Sequence, residues 1–212
     1  MLFEPEPDCR LCPRLAGMRD ANRLAQPDWF NRPVPSFGDP KGRLVIVGLA
    51  PGLQGANRTG RPFTGDYAGD LLYATLAAHG FTEGQYGAHA LDGLRLRDCL
   101  ISNAVRCVPP QNKPDPAEIA ACRPFLKATI EEMANARIIL ALGKIAHDSI
   151  VAIFGLRLSN FKFAHGACHS LPGGRLLVDS YHCSRYNTNT RRLTPDMFNA
   201  IFVRIRELIG QT

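Results

Sequence analysis

The chain has 212 residues, a formal net charge of +6 and 45% hydrophobic content, which suits a folded globular protein and lies above the disordered range. No apolar run nears the ~18–20 residues that span a bilayer, so a transmembrane protein is excluded. The start, Met-Leu-Phe-Glu-Pro-Glu-Pro-Asp, has neither the basic head nor the apolar stretch of a signal peptide, and one cytoplasmic domain over 1–212 is expected.

Residues 1–42 are proline-rich and irregular, with one short helix expected over Arg14–Leu24. Leu44–Gly48 (LVIVG) is short, rich in β-branched residues and enters a glycine turn, the pattern of a buried strand. Tyr67–His79 has apolar residues at helical spacing, and Gly80–Gly93 reads as a loop. Cys99–Val105 is a second strand, cut off before Pro109-Pro110, which lack ladder donors. Pro116–Glu132 is a helix with Asp115 as N-cap and proline in its first turn. Arg137–Leu142 is a third strand and Lys144–Phe154 a helix. Arg175–Asp179 is a fourth strand, followed by the polar run Ser180–Asn189. Thr194–Ile209 closes the chain as an amphipathic helix.

Strands thus alternate with helices. The expected fold is α/β: three layers, α/β/α, around a central, mostly parallel four-stranded sheet. Ligands of such sheets sit outside the carboxyl ends of the strands. The polar segments 48–66, 103–114 and 180–192 follow strand ends and are expected to converge on one cleft. Arg58, Arg61, Arg106, Lys113, Arg185, Arg191 and Arg192 accompany these loops, which predicts one basic face.

Seven cysteines in a reducing compartment argue against a disulfide framework. Cys99 and Cys168 read as buried thiols packing as small hydrophobes. Cys9 and Cys12 form a C-x-x-C that can present two thiolates to one metal. Cys107, past the second strand, and Cys122, on the next helix, could complete a four-thiolate site for zinc or an iron–sulfur cluster. The glycine-rich loop 48–66 lacks the Lys-Ser/Thr ending of a P-loop and the G-x-G-x-x-G of a dinucleotide fold, which disfavours a nucleotide-binding protein. Within it, Phe63 is either a core anchor or a stacking floor for a flat ring. Asp66 can cap the following helix, face the cleft, or do both. Asn103 offers a donor and an acceptor to an amide-like ring edge, or bonds a neighbouring loop. His182 stands after the fourth strand, where a lone histidine is more often structural than catalytic. His147, on a helix, reads as structural.

Taken together, GLAPG (48–52), GRPFTGDYAG (60–69), SNAVRC-x-PP-x-N-K-P (102–114) and HCSRYNTNT (182–190), with Cys9, Cys12, Cys107 and Cys122, resemble the iron–sulfur uracil-DNA glycosylases, and more narrowly their family 5, the B type. The resemblance implies an enzyme that flips a damaged base from DNA and cuts its N-glycosidic bond. It implies that Asn103 reads the pyrimidine edge, that Phe63 stacks on the base, and that His182 stabilises charge growing on uracil O2. Gly48, Ala50 and Gly52 would line the base site. Arg185 and Tyr186 would act as wedges in the minor groove, with Asn187 beside them. The four cysteines would ligate a [4Fe–4S] cluster that holds DNA-contacting loops.

Many members of the wider superfamily carry a polar, water-positioning residue where this chain has Ala50. Family 5 shares the alanine, and the resemblance moves the catalytic carboxylate to Asp66. It also implies a wide range: uracil, hydroxymethyluracil, ethenocytosine and deaminated purines. A monofunctional enzyme needs no Schiff-base lysine, and Lys113 is the sole lysine in these motifs. DNA containing deaminated bases is the expected partner, no membrane is involved, and the protein is expected to act as a monomer. The alternative is a non-catalytic damaged-DNA-binding protein on the same fold, which the apolar Ala50 favours.

Overall fold

A computed structural model describes residues 2–210. Helix α1 (Pro13–Ala25) precedes strands β1 (Phe37–Gly38) and β2 (Leu44–Gly48). The short helix α2 (Ala56–Thr59) and then α3 (Tyr67–Ala78) lead to the two-residue strands β3 (Thr82–Glu83) and β4 (Arg95–Leu96) and to β5 (Cys99–Asn103). Helix α4 (Pro116–Glu132), β6 (Ile138–Leu142) and α5 (Lys144–Ile153) follow. The chain ends with β7 (Cys168–Ser170), β8 (Leu176–Ser180), α6 (Arg185–Asn189) and α7 (Pro195–Gly210). Among the described residues no helix is long and apolar enough to cross a membrane.

The main sheet has the order β1-β5-β2-β6-β8-β7. β5, β2, β6 and β8 run parallel, and β1 and β7 pair antiparallel at the edges. The four expected strands are therefore the parallel core of a six-stranded sheet. β1 and β7, at two and three residues, are too short to show an alternating pattern.

Alternation along the strands builds the three layers. Leu44, Ile46, Ile138 and Leu140 pack with Leu72 and Leu76 of α3 and Phe198 and Phe202 of α7. Val45, Val47, Ile139 and Ala141 pack on the opposite face with Leu126 and Ile130 of α4 and Ile150 of α5. Each strand is thus apolar on both sides, as a covered parallel sheet requires. The chain passes from β2 to β5 on one side and then to β6 on the other, which opens a crevice at the carboxyl end of β2.

Four local expectations change. Cys168 is exposed, because the edge strand β7 turns it to solvent, while Cys99 and Cys183 are buried. Arg61 and Arg106 do not join a basic face: both are buried and paired, with Asp92 and Glu4 respectively. The polar run after β8 contains α6, capped by the Ser184 hydroxyl, which accepts from the Asn187 amide at 3.4 Å. The segment 80–93 includes β3.

His147 is structural. Its Nδ1 donates to Asp179 Oδ1 and its Nε2 to the Phe161 carbonyl, both at 2.8 Å. With both ring nitrogens engaged, these partners favour the protonated, charged ring. Burial works against that charge, but the hydrogen bond and charge of Asp179 outweigh it and raise the His147 pKa. The pair ties α5 to β8, three residues before His182.

Candidate active site

The three post-strand segments converge on a cleft of about 740 Å³, a volume suited to a small ligand. Ala50, Gly52, Phe63, Asp66, Asn103, His182 and Arg185 line it, joined by Tyr67 and Asn112. Gly48 lies behind this lining, at the end of β2 and in register with Asn103. A Cβ at Gly48 would stand 2.6 Å from Phe63 Cζ and would also strike the Asn103 carboxamide, so glycine is what lets ring and amide meet. Asn187 lies in an adjoining groove, where its Nδ2 donates to the His182 carbonyl at 2.8 Å. Tyr186 is outside the lining and 72% exposed.

Phe63 has a left-handed backbone, φ 51°, which is strained for a bulky residue. Its neighbours hold it there. Buried Arg61 donates from Nε to Thr64 Oγ1 at 2.8 Å and forks onto both carboxylate oxygens of Asp92, at 2.7 and 2.6 Å. The guanidinium lies over the rings of Phe37, Tyr73 and Tyr86. Tyr86 in turn accepts the Gly65 N–H at 3.3 Å and donates to the Phe63 carbonyl at 3.4 Å. The Phe63 ring faces His182, with centroids 5.8 Å apart and planes inclined by 27°.

Asp66 does both things foreseen for it. One oxygen caps α3, accepting from the Gly69 amide at 3.0 Å. The other faces the glycine loop: a Cβ at Gly55 would stand 2.8 Å from its Cγ, and one at Gly52 would stand 3.1 Å from Oδ2. The loop is therefore bent closely around a carboxylate. Burial raises the Asp66 pKa against the opposing Gly69 hydrogen bond.

Among the described residues, two polar atoms in this cleft are buried and lack partners: Asn103 Oδ1 and His182 Nδ1. Asn103 as a whole is 2% exposed. Such atoms cost stability unless something bonds them, so they mark where a ligand is expected. Burial also pulls the His182 pKa down from 6.5 to about 4, so the ring is neutral at pH 7. The folded value lies below the unfolded one. Stability held by the neutral ring is complete above about pH 6.5 and lost as pH falls toward about 4. Thermal melts of wild type and His182→Gln between pH 4 and 8 are expected to converge on the acid side. Parallel curves would contradict a buried neutral ring.

The four sequence-selected cysteines line a second, small cavity with Leu15, Arg19, Val105 and Phe125. Cys12 occupies the N-cap position of α1, and Arg14 joins α1 to α4 through Glu118 at 2.7 Å. Burial pushes the Cys107 thiol up to about 11 and the Cys122 thiol up to about 12. The Arg106 amide donates to Cys122 Sγ at 3.3 Å. Among the described residues, His147, His169 and Asp179 form the only trio of metal-ligating atoms within 4.8 Å of one another. No three of the four cysteine sulfurs lie within 4.8 Å of one another, whereas tetrahedral zinc at about 2.3 Å per bond would hold all four ~3.8 Å apart.

Asn112 and Tyr67 were missed as cleft residues. Asn112 has φ 56° just past the Pro109-Pro110 pair, and that proline pair was the available signal of a turn beside the cleft. Tyr67 is the first residue of α3, where the cap at Asp66 places it at the mouth, stacked 5.4 Å from the Arg185 guanidinium.

The profile of the "Uracil DNA glycosylase superfamily" matches residues 35–206. A "Type-5 uracil-DNA glycosylase" of Thermus thermophilus is 46% identical over 208 residues, covering 95% of this chain and 94% of that protein. A protein of the same description from Mycobacterium tuberculosis is 42% identical over 210 residues, 95% of this chain and 78% of its own length. One from Pyrobaculum aerophilum is 37% identical over 191 residues, 88% and 83% of the two chains. With matches that run through all three cleft segments, the chain belongs to the uracil-DNA glycosylase superfamily, in its type-5 branch.

Proposed function

We propose that the chain is a monofunctional DNA glycosylase that flips uracil and related damaged bases into the cleft and hydrolyses their N-glycosidic bonds. The observation that carries this reading is the pairing of the unpartnered Asn103 Oδ1 with a neutral His182 beside the Phe63 ring. Uracil has what these groups lack. Its N3–H meets Asn103 Oδ1, its O4 accepts from the carboxamide N–H, and its face stacks on Phe63. As the N1–C1′ bond breaks, the electron pair moves onto the base, and an N–H of neutral His182 stabilises charge at O2. A histidinium would be a buried, unpaired cation in the resting site, which explains why the ring is held neutral.

The sugar left behind carries positive charge. The ionised Asp66 carboxylate supports it and guides water to C1′. Water oxygen bonds to C1′, and its proton leaves to solvent or to the departing base. Ala50 offers only a methyl group here, so bond breaking leads and water follows. That methyl also leaves room for larger lesions, which supports a broad range. Arg185, which lies over Tyr67 and lines the cleft, and its exposed neighbour Tyr186 would be the wedge that fills the gap left by a flipped nucleotide.

The donor set at the second cavity fits a [4Fe–4S] cluster: four cysteines, spaced too widely for one zinc, beside a buried arginine that no carboxylate within 4 Å neutralises. Bound there, the cluster would cross-link the amino-terminal segment, the loop after β5 and α4 rather than act on DNA. The second reading, a damage-binding protein without turnover, rests on Ala50.

A panel of duplexes carrying uracil, hypoxanthine, hydroxymethyluracil or ethenocytosine tests the proposal. Free base is expected from several of them, with the strand left intact until alkali cleaves the abasic site. Binding without release on every duplex would establish the second reading, and spontaneous strand cleavage would refute a monofunctional enzyme.

A further inference from the structure

Three arginines of the described residues are almost wholly enclosed. Arg61 is matched by Asp92 and Arg106 by Glu4. Among the described residues, Arg19, 2% exposed, has no carboxylate within 4 Å, and its Nε has no hydrogen-bond partner. Asp8 and Asp20 feel its charge but make their direct ion pairs with other arginines, Asp8 with Arg23 and Asp20 with Arg10. The guanidinium instead donates to Cys107 Sγ at 3.7 Å and to the Cys9 carbonyl at 2.8 Å, and it lines the cysteine cavity.

A buried cation with no carboxylate in direct contact is costly. Thiolates that ligate metal ions carry negative charge that offsets it. We propose that Arg19 is the charge partner of the iron–sulfur cluster, and that its N–H donated to Cys107 and its positive charge hold the cluster's one-electron reduction potential high. The inference rests on the four-cysteine cluster of the proposed function. Adding an electron makes an anionic cluster more negative, so a fixed positive charge and a hydrogen bond to sulfur both favour the reduced form. Arg19 is enclosed and does not line the base cleft, so it is a positioning and tuning residue.

The test is redox titration of the DNA-free holoprotein, with dithionite or an electrode supplying the electron and iron and inorganic sulfide measured on every sample. The variants are Arg19→Met, Arg19→Gln, Arg19→Lys and, as control, Arg204→Met, which removes an exposed charge on α7. Arg19→Met and Arg19→Gln are expected to shift the midpoint to more negative potential. The reduced-to-oxidised ratio at fixed poise should fall by about tenfold, which is about 59 mV for a one-electron couple. Arg19→Lys keeps the charge and is expected to stay nearer wild type, and Arg204→Met is expected to match wild type. If Arg19→Met fails to retain a cluster, the comparison of Arg19→Gln with Arg19→Lys decides: equal midpoints overturn the proposal. A full cluster with an unshifted potential in Arg19→Met also overturns it while leaving the cluster assignment standing. Wild-type protein prepared anaerobically without iron or sulfide overturns the cluster assignment itself, and the tuning role with it.

Discussion

Asp66→Asn is expected to slow single-turnover uracil release by ~10²–10³-fold while leaving duplex affinity near the wild-type value, a loss typical of removing one group that meets charge developing in the transition state. Asparagine is the informative choice because Asp66 also caps α3 through Gly69, and asparagine caps about as well. The helix therefore stays and only the negative charge goes. His182→Gln is expected to fall as far, because the flexible amide does not hold its N–H fixed where the imidazole presents one to O2. Gly55→Ala reaches the same carboxylate from the other side, since the added Cβ would lie 2.8 Å from Asp66 Cγ and 3.1 Å from its Cβ. Single-turnover kinetics beside equilibrium DNA binding separates these effects. Full activity in Asp66→Asn would remove the carboxylate from the mechanism.

The largest loss of stability is expected away from the chemistry, at Arg61. Arg61→Met leaves the Asp92 carboxylate buried without its fork, and breaking a buried pair in this way costs about 3–5 kcal/mol. The hydrogen bonds from Arg61 hold the Asp92 carboxyl well below the usual carboxylate range. Its folded pKa is depressed, so the stability it adds is present above the unfolded value and lost as pH falls below it. Chemical denaturation at pH 7 measures the cost. The double variant Arg61→Met/Asp92→Leu is expected to recover part of it, because no charge is then stranded. Arg61 also carries Thr64 and, through the stacked tyrosines, the left-handed backbone of Phe63. The single variant should therefore raise KM for the duplex as the stacking floor loosens. Unchanged stability in Arg61→Met would show that the ion pair is not what braces this loop.

The parallel core was legible because Leu44–Gly48, Cys99–Asn103, Ile138–Leu142 and Leu176–Ser180 are short apolar runs bounded by glycine, proline or polar residues. Burial on both faces makes such strands continuous rather than alternating, and that continuity identified them. The edge strands were not legible, since a pairing of two or three residues is decided by the neighbouring strand. Helix α6 was hidden for a similar reason: Arg-Tyr-Asn-Thr-Asn has no apolar period, and its one cue was Ser184 three residues before Asn187. Arg61 and Arg106 were read as surface charge because their partners, Asp92 and Glu4, lie 31 and 102 residues away. Long-range ion pairs leave no local trace. At the cleft, residue types at strand ends pointed to Asn103, His182, Phe63 and Asp66. That Gly48 makes room for Phe63 against Asn103, and that Gly55 makes room for Asp66, required coordinates.

The most direct measurement of the central claim is a single-turnover assay of the wild-type protein on a duplex with one uracil opposite guanine, following free uracil and the abasic strand together. The account predicts one uracil released per abasic site formed, strongly reduced in Asp66→Asn and in His182→Gln. Tight binding of that duplex by folded, cluster-loaded protein with no uracil released would contradict it.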